Sequence, residues 1–75
     1  MVTSDEAVQT AWQVARDLNY ETDVMAVARV VEGTEHIDVS LGRPTEDGNG
    51  WWRGAALRVV IDKETGDVVE AEPQR

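Results

Sequence analysis

The chain has 75 residues, with fifteen Asp/Glu against seven Lys/Arg for a net charge of −8, a single histidine and no cysteine. That length supports one hydrophobic core, about enough for a helix laid on one sheet, and hence a single domain over residues 1–75. The lack of cysteine excludes disulfide staples, thiolate metal sites and thiol nucleophiles. The acidic field opposes nucleic-acid binding by counterion release and docking on anionic lipid, so the partner it favours is a basic protein. Acids spread along a small chain also keep it soluble.

Thr3 and Glu6 have the spacing of a capping box, and Asp5 and Glu6 suit the positive end of a helix dipole. Val8, Ala11, Trp12, Ala15 and Leu18 then recur at helical spacing, with Trp12 the largest apolar side chain. Gln9, Gln13, Arg16 and Asp17 lie opposite, and Asn19 offers a left-handed stop. After "YETD" the period falls to two. Val24 to Gly33 is β-branched and apolar, and "HIDVSLG" from His36 to Gly42 sets Ile37, Val39 and Leu41 on one face and His36, Asp38 and Ser40 on the other. "EGTE" between them reads as a hairpin turn.

The loop "RPTEDGNG" leads into "WWRGAALRVVID", in which Ala55, Leu57, Val59 and Ile61 share one face and Trp52, Gly54, Ala56, Arg58 and Val60 the other. "DKETGD" is a turn with Gly66 at the positive-φ position, and "VVEAE" is a short last strand that Pro73 is expected to end. The expected architecture is α+β: one N-terminal helix packed on a three- to four-stranded antiparallel meander sheet. No apolar run reaches membrane-spanning length and no leader pattern opens the chain. A soluble, cytoplasmic protein is expected as the sequence is written, or an exported one if a leader has been removed.

The two adjacent tryptophans of "DGNGWWRG" must point to opposite faces of a regular strand. Trp51 is expected at the core edge and Trp52 on the uncovered face; a bulge at Gly50 or Gly54 would exchange them. Trp52, Ala56, Arg58 and Val60, with His36 and parts of the 24–31 strand, would make that face more apolar than a solvated sheet face needs to be. An indole removes roughly 150–250 Å² from water when buried, and Trp and Arg dominate binding hot spots. Trp52, Arg58, Val60, Ala56 and His36 are therefore the expected contact residues for a protein partner or, most simply, for a second copy in a homodimer. The alternative is that Trp52 folds over a sheet edge.

Catalytic and metal chemistry find little support. A nucleophile–base pair would have to use His36, the single histidine, with Ser40 or a threonine, and His36 with Asp38 supplies two metal ligands, fewer than a zinc site needs. "TEDGNG" has the start of a calcium loop, but Ala56 stands where its bidentate acid should be. No catalytic residue, metal ligand or cofactor is expected. A small-molecule site near Trp12 and Trp51 is disfavoured by the sparse aromatic content.

The helix "EAVQTAWQVARDL" and the closing "LRVVIDKETGDVVEAE" together resemble the peptidase-propeptide (PepSY) type of domain. Asp62, Thr65 and Gly66 match its closing hairpin, and Ala7, Ala11 and Ala15 its small-residue helix. The chain is also similar to small immunity proteins with an αβββ core. The resemblance implies inhibition or regulation of a protein partner without catalysis, with neutralisation of a basic toxin or enzyme as the immunity-type form.

Overall fold

The computed structural model describes residues 1–45, 50 and 56–74, the last through its backbone alone. Helix α1 spans Ser4–Asp17. At its start the Thr3 hydroxyl accepts the Glu6 N–H at 3.2 Å and the Glu6 carboxylate accepts the Thr3 N–H at 3.1 Å, closing the box. At its end Asn19 takes φ 64°. The Tyr20 N–H reaches back to the Ala15 carbonyl and the Asn19 N–H to that of Arg16, the two bonds of a Schellman motif. Leu18 is the cap itself and stands half exposed, which corrects its expected place in the core stripe.

The chain then makes a 3-10 turn, Thr22–Val24, where the strand was expected to have begun; the Val24 N–H donates back to the Glu21 carbonyl. Four strands follow: β1 Ala26–Glu32, β2 His36–Gly42, β3 Ala56–Asp62 and β4 Val68–Gln74. They pair antiparallel in chain order, so the sheet is the expected meander with a helix across it. Any part of the third strand before Ala56 lies outside the described residues. β4 runs through Pro73, which stands opposite Leu57, rather than stopping before it. An edge strand pairs on one side only, so a residue without an N–H fits where its nitrogen faces away from the ladder.

Two irregularities set which side chains face where. The β1–β2 register shifts between Val27 and Arg29, and the β3–β4 register shifts opposite Val60/Ile61, leaving Ala28 and Val69 as the extra residues. The helix side of the sheet therefore holds the rows Val27–Leu41–Leu57–Pro73 and Val30–Val39–Val59–Ala71, followed by Glu32–Ile37–Ile61–Val68.

Ile37, Val39, Leu41, Leu57, Val59 and Ile61 are fully buried beneath Ala7, Ala11 and Ala15. The alanine seam lets the helix backbone lie close to the central strands, with Val8, Trp12, Val14, Tyr20 and Met25 packed around it. A helix about 10 Å across cannot cover four strands spaced about 4.8 Å apart. Accordingly β1 beyond Ala26 and β4 from Val68 to Pro73 remain exposed.

The hairpin tips are tied together at one end. The Val2 N–H donates to the Lys63 carbonyl at 2.8 Å and the Lys63 N–H to that of Glu35 at 2.9 Å. Asp62 Oδ1 accepts the Glu64 and Thr65 N–H groups, and Gly66 takes φ 79° as its turn requires.

Candidate functional site

No element among the described residues covers the sheet face opposite α1, which carries two complete rows. One reads Arg29–Ser40–Arg58–Glu72 and the next Val31–Asp38–Val60–Glu70; His36 and Asp62 stand opposite each other beyond them. Three of the expected contact residues, Ala56, Arg58 and Val60, alternate along β3 on this face, and His36 joins them from β2. Trp52 lies outside the described residues, as do Trp51 and most of the "TEDGNG" loop.

Arg58 is the centre of the face. Its Nε donates to Asp38 Oδ2 at 2.7 Å and its Nη2 reaches the same oxygen, while both side chains stay partly open to solvent. That hydrogen bond and the Asp38 charge raise the guanidinium's affinity for its proton further, and Glu70 and Glu72 on β4 add to the effect. Beside this pair Arg29, Val31 and Ser40 line a hollow of about 380 Å³. The described part of the face is consequently more charged than the sequence led one to expect. Its apolar members, Val31 and Val60, flank Asp38, and acids close it along β4.

His36 stands at the far end of the same face, near the hairpin tips. It lines a second hollow, of about 420 Å³, at the hairpin tips with Glu35, Asp62 and Lys63. The Asp62 carboxyl is held below its ordinary value of 3.8 by the Thr65 and Glu64 N–H groups, with the His36 charge as a smaller contribution. Lys63 donates to the Gly33 carbonyl at 3.2 Å and lies 3.6 Å from Glu32. His36 and Ser40 are four residues apart on one strand, about 13 Å along it, so they do not form a nucleophile–base pair. Among the described residues no three His, Asp or Glu side chains gather in a metal-binding group, and no helix is long and apolar enough to cross a membrane.

Sequence reasoning missed Asp38 as the partner of Arg58 and Glu70 and Glu72 as members of the face, and it placed parts of the 24–31 strand there without singling out Arg29 and Val31. The alternation of Glu70 and Glu72 in "VEAE" was a usable signal for the last two. Asp38 needed the β2–β3 register, and Arg29 and Val31 needed the bulge at Ala28. Compared with protein-family models, curated proteins and solved structures, the chain matches none.

Proposed function

We propose that this chain is a non-catalytic protein-binding domain that regulates or inhibits a partner through its uncovered sheet face. The observation that carries the reading is the preordered Arg58 at the centre of that face. Asp38 accepts hydrogen bonds from its Nε and Nη2, Val31 and Val60 flank the pair, and the adjoining hollow gives a partner side chain somewhere to enter. A fixed guanidinium beside apolar contacts loses less side-chain freedom on binding than a free one, which is how arginine becomes a hot spot. The PepSY-like closing hairpin supports the same reading, since that resemblance implies control of a partner protein.

A second, immunity-type reading rests on Glu70 and Glu72, which line the face on its β4 side. A basic enzyme or toxin would meet those acids, and its binding would weaken steeply with added salt.

The test is capture of the partner from the source cells by cross-linking to the native chain, beside Arg58→Glu and Val60→Asp, with circular dichroism confirming that both variants fold. Loss of the captured protein from both variants is expected, as is a change in that protein's activity when the native chain is added back. Equal recovery by all three chains would remove the face from consideration.

A further inference from the structure

The two outer strands of the sheet, β1 and β4, each pair on one side only among the described residues, and they are guarded unequally. β4 carries Glu70 and Glu72 with no basic residue, contains Pro73, and is distorted at Val69. Inserted charge, proline and bulges are the devices that stop an edge from pairing with another strand. β1 contains no proline, and its two charges, Arg29 and Glu32, cancel. Val27, Val30 and Val31 are 39%, 37% and 43% exposed there. Its bulge at Ala28 lies toward the start of the strand and leaves Arg29–Glu32 in regular pairing with β2.

We propose that β1 is a self-association edge, on which β1 of a second copy pairs antiparallel about a two-fold axis perpendicular to the sheet. The charge of the chain directs the pairing there. Two molecules of net charge −8 repel, and β1 is the sheet edge whose own charges sum to zero, whereas β4 adds two acids to the contact.

The register follows from the pleat. Residues directly opposite in an antiparallel pair share a face; Val30 faces the helix side with Val39, and Arg29 and Val31 face the open side with Ser40 and Asp38. Centring the pair on Val30 sets Val30 against Val30 of the second copy, and Arg29 against Val31, with no like charges opposed. Centring on Val31 instead would set Val30 against Glu32. Because α1 is centred over β2, the two helices would stand about 14 Å apart, more than one helix diameter, and not collide.

The pairing leaves the uncovered face free, so it stands or falls independently of the binding function proposed above. It also places the two uncovered faces side by side on the same side of one continuous sheet.

The absence of cysteine makes the test direct. Val30→Cys and Val69→Cys each introduce one thiol, and Cβ atoms of directly opposed residues lie about 4.5–5.5 Å apart, the shorter end being within disulfide reach. Oxidation is expected to cross-link Val30→Cys into a covalent dimer and to leave Val69→Cys without an intermolecular disulfide. Light scattering over a range of concentrations is expected to show the native chain and Val69→Lys as dimers and Val30→Lys as a folded monomer. A native chain that stays monomeric at every concentration overturns the proposal and leaves the edge to an extended segment of another protein. Equal trapping of both cysteine variants overturns it as well, as does a Val30→Lys chain that remains dimeric. Partner capture by monomeric Val30→Lys reports on the uncovered face separately.

Discussion

The two faces of the sheet are built from alternate residues of the same two strands, β2 and β3, yet they differ sharply in chemistry. On one face six aliphatic side chains vanish completely beneath three alanines. On the other, Arg29, Asp38, Arg58, Glu70 and Glu72 stay at least partly in contact with water, with Arg58 paired to Asp38. Burial is concentrated on the first face, so the fold places few demands on which side chains occupy the second.

Breaking that division should be costly on one side only. Leu57→Ala removes a fully buried side chain from the helix side and is expected to lower unfolding free energy by about 2–5 kcal/mol in urea titration. Ala11→Leu would force the helix off the sheet; overpacking of that kind costs about 1–3 kcal/mol, read as a lower melting temperature. Thr3→Ala removes the hydroxyl that caps α1 and should cost about 1 kcal/mol, with partial recovery in Thr3→Ser. On the uncovered face, Arg58→Leu breaks a partly exposed ion pair that solvent screens, and should leave the melting temperature nearly unchanged while abolishing partner capture. A large stability loss from Arg58→Leu would erase the distinction between the faces.

The smallest expected effect at neutral pH sharpens the comparison from the acid side. Asp62 and Glu6 have carboxyls lowered by backbone N–H groups, those of Thr65 and Glu64 for Asp62 and that of Thr3 for Glu6. A depressed folded-state value contributes stability above the unfolded value and loses it as pH falls through the folded one. Stability should therefore be level near neutrality and decline below the ordinary values of 4.5 for Glu6 and 3.8 for Asp62. Asp62→Asn should flatten the acid limb of a melting-temperature profile.

What was legible in the sequence was local chemistry. The Thr3–Glu6 box, the Asn19 stop, the His36–Gly42 strand and the Gly66 turn each depend on residues within a few positions of one another, and each stands where its pattern placed it. The faces of β3 followed from alternation alone. What was not legible depended on register. Nothing in "VMAVARVVEG" marks Ala28 as the bulged residue, and without it Arg29 and Val31 fall on the wrong face for half the strand. Asp38 meets Arg58 because of how β2 slides against β3, a choice made by the buried aliphatic rows rather than by the charged residues themselves. Pro73 misled for a related reason, since its tolerance in β4 depends on that strand being an edge. The question posed by Trp51 and Trp52 falls outside the described residues.

The strand order also bears on how quickly this chain can find its fold. Every strand pairs with its neighbour in sequence, so the sheet can grow one hairpin at a time, and chains dominated by such short-range pairing fold fast for their size. The bond from Val2 to Lys63 ties the start of the chain to the β3–β4 turn and closes a loop over most of the sequence, so it is a latch rather than a nucleus. Weakening that latch would shorten the lifetime of the native state while leaving the rate of reaching it almost untouched.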